Sequence, residues 1–440
     1  MEKIAQRARL ASNALQCATN DHKNSALRAI YDQLVKDRVA ILAENEKDLI
    51  ANKDTLSQAI FNRLSLEKKF DEMLLGVLDV IKLDDPTAKC SLARKLDENL
   101  ELYRVSCPVG VLLIIFEARP EVVVQISCLA IKSGNAVILK GGKEAHNSNV
   151  ALFGTIYKAL SSLDTSATSV IPPTSVNLVS SREDISTLLK LDKYIDLVIP
   201  RGSKSLVQHV QESTRIPVLG HADGICSVYV DELADAKKAL SIVVDSKINY
   251  PAACNAAEKL LIHKKVAPTL LPLLATALFN KNVTLFADPE AFKLIEKNNL
   301  LKPALSDSFE TEYLDLSLAV KVVDSLTEAV QHINEFGSHH TDSIVTEDKD
   351  RAEQFMKQVD SAGVFWNAST RFADGFRYGF GAEIGVSTNK THARGPVGLE
   401  GIYGNGQAVG WYGKGGDENG KVFNFKHEDI PLEKVTKKFN

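Results

Sequence analysis

The amino-acid sequence predicts an α/β protein with two parallel-sheet α/β domains. Short apolar runs recur along the chain, and each is followed by a stretch of helical periodicity. These runs lack the polar alternation of a half-exposed strand, which is typical of parallel strands covered by helices on both faces. The 440 residues are 45% apolar and 25% charged, so the chain is long enough for two or three domains with large cores.

Residues 4–80 are predicted to form helices. Leu27, Ile30, Leu34 and Ile41 recur near the helical period of 3.6 residues. The opening "MEKIAQRARLASNALQ" contains arginine and serine, as transit peptides do, but its apolar residues also keep helical spacing. We therefore expect a surface helix there. No window of roughly 18 apolar residues occurs, so no membrane-spanning helix is predicted.

Strands and helices then alternate in two sets. The first set has predicted strands in "VGVLLIIFEARP", "GNAVILKGG", "SVNLVSS" and "IDLVIPRG", with helices in "EVVVQISCLAIKSG" and "AHNSNVALFGTIYKALSSL". The second set follows residue 225, with strands in "ICSVYVD", "EKLLIHKK", "NVTLFAD", "LAVKVVDS", "DSIVTED" and "GVFWNAS". Each set predicts one parallel sheet.

Two segments depart from this alternation. The stretch "LDENLELYRVSCPVG" alternates with period two, which predicts a β-hairpin arm. Residues 375–420 are rich in glycine and irregular, which suits loops that close over a site or reach a neighbouring subunit.

Charge and cysteine usage argue against several classes of function. The formal net charge is -4 and no long run of Lys and Arg occurs, so we expect no binding to nucleic acid or membranes. The cysteines are scattered without a CxxC pair, which argues against a zinc ribbon or a secreted disulfide framework. We expect a cytoplasmic protein that holds no metal. The six cysteines are Cys17, Cys90, Cys107, Cys128, Cys226 and Cys254.

Neither GxGxxG nor the Walker pattern occurs, which excludes a standard Rossmann fingerprint. One weaker phosphate-binding candidate is "AVILKGGKEAHNSN", where Lys140, Gly141 and Lys143 follow a strand and Asn147 or Ser148 is available to cap the next helix. Glycines permit close approach of the backbone, and two ammonium groups near a helix N-terminus favour a phosphorylated ligand. The alternative is a solvated turn.

A second candidate is "VIPRGSKSL". Here Arg201, Gly202 and Ser203 lie between a predicted strand and a predicted helix. The alternative is a simple capping turn.

Cys254 lies in "NYPAACNAAEKLLIH". A cysteine among alanines is more often a small buried residue than a nucleophile. However, the helix "ADAKKALSIVVDSKI" ends at Tyr250 and Pro251, so Cys254 occupies the junction before a strand. Enzymes of the α/β class place much of their chemistry in such junctions. The residues alone leave both interpretations open.

Four segments together resemble γ-glutamyl phosphate reductase, a branch of the aldehyde dehydrogenase superfamily. They are "VLLIIFEARPEVVVQISCLAIKSGNAVILKGGKEA", "NYPAACNAAEKLLIH", "HINEFGSHHTDSI" and "GVFWNASTRFADGFRYGFGAEIGVST". The resemblance extends over nearly the whole chain. It implies an aldehyde-dehydrogenase-like fold and an NADP-dependent acyl-phosphate reductase that converts γ-glutamyl phosphate to glutamate 5-semialdehyde in proline biosynthesis.

The resemblance also assigns roles to single residues. Cys254 matches the nucleophile, with Asn255 as a helper in the oxyanion hole. Lys140 matches the lysine that meets the adenosine ribose, and Lys143 replaces a glutamate common in NAD-preferring relatives, which implies a preference for NADPH/NADP. The residues implied to bind cofactor are Lys140, Gly141, Lys143, Arg201, Gly202, Ser203 and Glu383, and those implied to bind substrate are Arg119, Asn367 and Arg371.

Two positions depart from the general aldehyde dehydrogenase pattern. Ala118 occupies the place of an oxyanion-hole asparagine, so we expect the backbone N–H of Cys254 to take that part. Gly220 and His221 occupy the segment that usually carries a general-base glutamate. A reductase of acyl phosphates has to keep water from its thioester, and the loss of that base agrees with this need.

The family implies three structural parts and two partners. The substrate would come from a separate glutamate 5-kinase, and the arm would join a homo-oligomer, a dimer or a tetramer. The parts are a cofactor-binding domain (1–94 and 109–225, with a return segment 366–395), a catalytic domain (226–365) and an oligomerisation arm (95–108 and 396–430).

Three alternatives remain. A hydrolytic aldehyde dehydrogenase for another small aldehyde is disfavoured by the missing base. The reductase half of a fused kinase–reductase is disfavoured because 440 residues leave no room for a preceding kinase. A non-catalytic scaffold of the same fold is disfavoured by intact Cys254, Lys140 and Glu383.

Overall fold

The protein is represented by a computed structural model. It describes residues 1–56, 58–97, 100–163, 171–179, 182–221, 223–375, 377–379, 383–390, 393–411 and 428–434.

The helices are α1 (Glu2–Leu15), α2 (Asn20–Asn52), α3 (Gln58–Leu64), α4 (Phe70–Lys82), α5 (Val122–Lys132), α6 (His146–Leu163), α7 (Arg182–Leu188), α8 (Lys204–Ser213), α9 (Ala236–Ile248), α10 (Ala267–Phe279), α11 (Pro289–Leu294), α12 (Leu326–Phe336) and α13 (Lys349–Gln358). The strands are β1 (Cys90–Asp97), β2 (Leu100–Pro108), β3 (Val111–Phe116), β4 (Ala136–Lys140), β5 (Val176–Val179), β6 (Leu197–Arg201), β7 (Cys226–Val230), β8 (Ala257–His263), β9 (Thr284–Ala287), β10 (Leu301–Pro303), β11 (Ser317–Val323), β12 (Thr341–Val345), β13 (Gly363–Trp366), β14 (Gly385–Ser387), β15 (Gly395–Val397), β16 (Tyr403–Trp411) and β17 (Glu428–Asp429).

The N-terminal helices α1 to α4 confirm the helical prediction for that region. In α2, the four residues that carry the helical period, Leu27, Ile30, Leu34 and Ile41, are at most 1% exposed. Thr19 begins α2, because its hydroxyl accepts a hydrogen bond from the backbone N–H of His22 at 3.3 Å. The buried face of α2 belongs to the same core as the first sheet.

The first sheet is parallel and has the order β5-β4-β3-β6. Every residue of β3 and β4 is buried, as the continuous apolar runs predict. Burial of one Val, Leu or Ile side chain contributes about 1.5–3 kcal/mol. Helix α5 is buried over nearly its whole length, because it packs between the sheet and the N-terminal helices.

The second sheet is also parallel and has the order β10-β9-β11-β8-β7-β12-β13. The six predicted strands of this set are confirmed. Strand β10 was not predicted, because this short edge strand is largely exposed and carries no apolar run. The prediction of an α/β fold with two parallel sheets is therefore confirmed.

The predicted hairpin is formed by β1 and β2, which pair antiparallel. It begins at Cys90, earlier in the chain than the period-two stretch indicated. Strand β16 pairs with the other side of β2, within the same chain. Residues 375–420, expected to be irregular, contain the strands β14, β15 and β16, and pairing with β2 makes the glycine-rich β16 a regular strand. Residues 98–99 and 412–427 of the predicted arm lie outside the described part of the chain.

The N-terminus of α6 is capped differently from the prediction. Neither Asn147 nor Ser148 is the cap, because both lie inside the helix. Instead the carboxylate of Asp48, on α2, accepts hydrogen bonds from the backbone N–H of Asn147 at 3.1 Å and of Ser148 at 2.8 Å. A carboxylate from a neighbouring helix thus satisfies the donors that the sequence suggested for a phosphate.

None of the described helices combines the length and the apolar character needed to cross a bilayer. The predicted domain boundaries remain a prediction.

Candidate active site

Two sheet edges carry most of the predicted site residues. Lys140 ends β4 and Arg201 ends β6, so both lie at the carboxyl edge of the first sheet. Cys254 lies three residues before the start of β8 and His340 directly precedes β12, so both lie at the amino edge of the second sheet. Arg201 is hydrogen-bonded to Glu383, and the charge of Cys254 raises the pKa of the Glu383 carboxyl group. The two edges therefore meet at one site.

Cys254 lies in the turn between α9 and β8, as predicted. Tyr250 adopts a left-handed backbone conformation with φ of 63°, and Pro251 cannot continue a helix. Gly224 touches this turn so closely that an added Cβ would lie 2.0 Å from the carbonyl oxygen of Cys254. Only glycine fits there. The thiol of Cys226 donates to the same carbonyl at 3.3 Å.

Two histidines lie beside the thiol. The sulfur of Cys254 and one ring nitrogen each of His221 and His340 all lie within 4.8 Å of one another. The two rings meet edge to face, with centroids 4.9 Å apart. Nδ1 of His221 lies 3.2 Å from the carbonyl oxygen of Val386, and Nδ1 of His340 lies 2.9 Å from the hydroxyl of Thr341. Nε2 is thus the nitrogen that each ring has left for the thiol.

This arrangement ionises the thiol. Burial is the largest influence on the pKa of Cys254 and raises it, but the positive charges of His340 and His221 outweigh burial and hold the pKa well below its usual range. Burial likewise lowers the pKa of His221, and the charge of Cys254 reverses that effect and raises the pKa to about 9. At neutral pH the pair is a thiolate beside an imidazolium, which is the reactive form of a cysteine.

Two carboxyl groups lie within electrostatic reach of the thiolate. Burial raises the pKa of Glu383, the charge of Arg201 lowers it, and the thiolate raises it. Burial also raises the pKa of Glu312, against the hydrogen bond that its carboxylate accepts from the N–H of Gly224 at 2.9 Å. Both carboxyl groups are thus favoured in their neutral form relative to an exposed glutamate.

Arg119 is a mostly buried cation. Burial lowers the pKa of its guanidinium, and the charges of Arg201 and Arg63 lower it further, whereas the charge of Glu121 raises it. Among the described residues no oxygen accepts a hydrogen bond from this guanidinium. Leaving a buried charge unpaired is costly, so the position is suited to an anionic ligand.

Arg371 is 8% exposed and lies on the other side of the Cys254 turn. Its Nε donates to the carbonyl of Asn249, and its guanidinium lies 6.0 Å from the ring of Tyr250. Burial and then the charge of Arg377 lower the pKa of Arg371, whereas the Cys254 thiolate raises it. The structure therefore brings Arg371 into the electrostatic environment of the nucleophile.

The lysine turn lies at the end of β4. Lys140 is 5% exposed, and its Nζ donates to the carbonyl of Gly141 at 2.7 Å. A Cβ on Gly141 would lie 2.2 Å from Nδ2 of Asn149, so this close packing requires glycine. Lys143 is exposed to solvent on the following 3-10 turn. One ammonium group is thus fixed and the other is free to turn toward a ligand.

The second turn lies at the N-terminus of α8. Ser203 occupies the cap position, and its backbone N–H donates to the carboxylate of Glu117 at 3.0 Å. A Cβ on Gly202 would lie 2.4 Å from that carboxylate. The N-terminus of α8 favours a negative charge, and the carboxylate of Glu117 from the same chain provides that charge.

The two predicted asparagines differ in position. Asn255 is 4% exposed, donates to the carbonyl of Ala373 at 2.8 Å and leaves its Oδ1 buried without a partner. Asn367 follows β13 at the opposite, carboxyl edge of the second sheet, where its amide bonds to both the N–H and the carbonyl of Thr346. The roles assigned to the site residues by resemblance remain predictions.

Sequence reasoning missed the two histidines as partners of the thiol. His221 entered only as the replacement of a base, and His340 only as part of "GSHHTDSI". The strand order explains their convergence: β8 and β12 both pair with β7, so the residues before these strands are neighbours. The one signal in the sequence was that a histidine pair directly precedes a predicted buried strand.

Comparisons with known proteins agree with this geometry. The model of the aldehyde dehydrogenase family matches residues 2–291. A probable γ-glutamyl phosphate reductase of Schizosaccharomyces pombe is 48% identical, with 99% of this chain and 98% of the relative aligned. A γ-glutamyl phosphate reductase of Synechocystis is 51% identical over 91% of each chain.

A solved structure gives the same result. The crystal structure of γ-glutamyl phosphate reductase from Thermotoga maritima superposes with a TM-score of 0.89 at 37% identity, covering 94% of this chain and 99% of that one. Sequence and fold thus agree over nearly the full length of both proteins. The chain therefore belongs to the aldehyde dehydrogenase family and, within it, to the γ-glutamyl phosphate reductases.

Proposed function

We propose that this protein uses NADPH to reduce γ-glutamyl 5-phosphate to glutamate 5-semialdehyde and phosphate, as a step of proline biosynthesis. The observation that carries the proposal is the Cys254 thiolate held between His221 and His340 where two sheet edges meet. A scaffold protein would have no use for a partly buried, ionised thiol. The relatives that share the fold over their full length are named for this reaction.

The first step is transfer of the acyl group to sulfur. The Cys254 thiolate attacks the acyl carbon, the carbon–oxygen bond to phosphate breaks, and phosphate leaves with the electron pair. A γ-glutamyl thioester remains on the enzyme. One proton is consumed in the overall reaction, and the imidazolium of His221 is the protonated group beside the reacting sulfur.

The second step returns the thiolate. When bound, the nicotinamide supplies a hydride to the thioester carbonyl. The resulting thiohemiacetal collapses, the carbon–sulfur bond breaks, and the aldehyde leaves. The backbone N–H of Cys254 stabilises the oxyanion in both steps, with Asn255 beside it. One hydrogen of the Asn255 amide is already used by Ala373, so the backbone donor carries the larger part.

Two arginines bind the negative ends of the substrate. Arg119 has a mostly buried guanidinium that donates no hydrogen bond to any oxygen of the described residues, and Arg371 lies within electrostatic reach of the thiolate. The guanidinium fork matches both carboxylate and phosphate oxygens. With both ends of the substrate held, the acyl carbon is fixed over the sulfur.

The chain offers a suitable cradle for NADPH at the carboxyl edge of the first sheet. The turns after β4 and β6 carry Gly141 and Gly202, where a Cβ would overlap a neighbouring side chain, so the backbone of both turns can approach a ligand closely. Lys140 and Lys143 would place two positive charges beside the ribose position, which favours a 2′-phosphate. Arg201, at the end of β6, bonds to Glu383, whose pKa responds to the charge of Cys254, so these two residues connect the cradle with the nucleophile.

The remaining partners follow from the same proposal. A separate glutamate 5-kinase would deliver the acyl phosphate, and the sheet of β1, β2 and β16 would join a neighbouring subunit through its edge strand β16, because edge strands favour such contacts. None of the six cysteines forms a disulfide bond, which agrees with a reducing compartment such as the cytoplasm.

The test is the reverse reaction, oxidation of glutamate 5-semialdehyde with NADP. We expect NADPH formation to require inorganic phosphate and to release acyl phosphate. Cys254→Ser should remove nearly all activity, because a hydroxyl is a weaker nucleophile and a poorer leaving group. Rapid NADPH formation in phosphate-free buffer would instead indicate a hydrolytic aldehyde dehydrogenase.

The hydrolytic alternative has a specific observation in its favour. Glu312 and Glu383 are carboxyl groups within electrostatic reach of the thiolate. They are therefore candidates for a general base, even though the segment of Gly220 and His221 carries no carboxylate. Glu383 is held by Arg201, and Glu312 accepts the N–H of Gly224. Because these hydrogen bonds orient both carboxylates toward protein donors, we favour phosphate as the acceptor.

A further inference from the structure

The side chains of Cys254, His221 and His340 form a set of ligands for a thiophilic metal ion. One sulfur and two nitrogens lie within 4.8 Å of one another. We propose that this cluster binds one divalent transition-metal ion of the zinc type, and that the bound metal reversibly inhibits the enzyme. The metal would be a regulator or inhibitor, not a cofactor of the reaction.

The ligand types select the metal. Thiolate and imidazole are the protein ligands that zinc prefers, whereas magnesium and calcium require oxygen. Zn–S bonds of about 2.3 Å and Zn–N bonds of about 2.0–2.1 Å place tetrahedral ligand atoms roughly 3.3–3.6 Å apart. The separations within the cluster, at most 4.8 Å, would therefore contract by about 1.5 Å or less. Small side-chain rotations supply such a change.

The surroundings of the two rings support ligation. The Nδ1 atoms of His221 and His340 are held by the carbonyl of Val386 and the hydroxyl of Thr341. This is the arrangement in which an outer partner fixes the ring and leaves Nε2 for a metal. His340 is 1% exposed, and its Nε2 is buried without a hydrogen-bond partner. A buried nitrogen in that condition is stabilised by a ligand.

Metal binding would block the nucleophile. The sulfur of Cys254 would share its electron pair with the ion and could not attack an acyl carbon. Zinc binds the Cys254 sulfur as the thiolate and displaces the proton from the liganding nitrogen of the His221 imidazolium, and no electron is transferred. A zinc site with three protein ligands leaves the fourth coordination position to water.

The chain offers matched controls for each ligand type. His339 is the sequence neighbour of His340, but it is exposed and its Nδ1 faces the carbonyl of Asp360. Cys226 is buried beside the cluster, and its sulfur lies 3.8 Å from Nδ1 of His340, the nitrogen that also contacts the hydroxyl of Thr341. His339→Asn and Cys226→Ala should therefore retain the metal, whereas His340→Asn and Cys254→Ser should lose it.

The test measures zinc binding directly. The full chain is freed of metal with a chelator and titrated with zinc against a chromophoric competitor, and cobalt is used to record the thiolate-to-metal charge-transfer band. We expect one zinc per chain, with affinity at least about 100-fold weaker in His340→Asn and unchanged in His339→Asn. The cobalt band should disappear in Cys254→Ser.

A second measurement uses the unmodified chain. Zinc should slow alkylation of Cys254 by iodoacetamide, and a chelator should restore the rate. Unchanged alkylation, or zinc affinity equal in His340→Asn and His339→Asn, would overturn the proposal. The inhibition of turnover rests on the proposed function, but binding and alkylation need neither substrate nor NADPH. Failure of the reductase assay alone would therefore leave the metal site intact.

Discussion

Replacing His221 by asparagine should raise the pKa of Cys254. The charge of Cys254 is the largest of the influences that raise the pKa of His221 from its ordinary value of 6.5 to about 9, and burial opposes this rise. The sulfur of Cys254 and a ring nitrogen of His221 are at most 4.8 Å apart, and two unit charges at that distance attract by about 3 kcal/mol at an effective dielectric constant of about 20. One pKa unit corresponds to about 1.4 kcal/mol and the coupling is reciprocal, so removal of His221 should raise the thiol pKa by roughly 2.

The assay is the rate of iodoacetamide alkylation of Cys254 as a function of pH, in buffer with a chelator. In the unmodified protein the thiolate is present from the lowered pKa of Cys254 upward, and the imidazolium of His221 persists up to about pH 9. Turnover should therefore fall on both sides of this range. In His221→Asn the alkylation midpoint should move up by roughly 2 pH units. The control is His339→Asn, and an unchanged midpoint in His221→Asn would refute the reasoning.

Three further changes test other parts of the site. Lys143→Glu should lower the preference for NADPH over NADH roughly 5- to 30-fold through repulsion of the 2′-phosphate, and equal specificity constants in the unmodified protein would contradict the role of Lys143. Arg119→Gln should raise the KM for the acyl phosphate roughly 10- to 100-fold. It should also stabilise the fold, because burial and the charges of Arg201 and Arg63 disfavour the charged guanidinium more than Glu121 favours it, and a loss of stability in urea unfolding would contradict this. Cys226→Ala should cost about 1–3 kcal/mol of stability and leave kcat unchanged, and a lost burst of thioester formation would show that Cys226 takes part in the chemistry.

The sequence predicted the features that depend on local pattern. Continuous apolar runs identified ten of the parallel strands, because a strand covered by helices on both faces has no polar alternation. The junction of Cys254 was also predictable, since Tyr250 and Pro251 end α9. These features depend on residues that are close together in the chain.

The features that escaped prediction depend on contacts between distant segments. His340 reaches Cys254 only because β8 and β12 lie on either side of β7, and strand order cannot be read from apolar runs. The cap of α6 is likewise Asp48 from another helix, although Ser148 offered a local candidate. The unpaired backbone N–H groups at a helix end can be satisfied by a side chain from a neighbouring element just as they can by a residue next to the helix in sequence.

The last prediction concerns the ion pair that holds the Cys254 turn. Nζ of Lys247, near the end of α9, lies 2.6 Å from the carboxylate of Glu258, at the start of β8, and both side chains are fully buried. The pair thus closes both ends of the segment that carries the nucleophile. Glu258→Gln would leave the ammonium group of Lys247 buried without a counter-charge, which should cost about 3–5 kcal/mol in the free energy of unfolding.

The matched control is an exposed pair on the same helix. Lys238 and Glu347 also form a 2.8 Å ion pair, but each side chain is 49% exposed, so Glu347→Gln should cost less than about 1 kcal/mol. Urea unfolding of both variants gives the comparison. Equal costs would show that burial does not distinguish the two pairs. If Glu258→Gln loses activity in proportion to its stability while the alkylation pH profile of Cys254 is unchanged, the buried pair supports the fold of the turn without tuning the thiol.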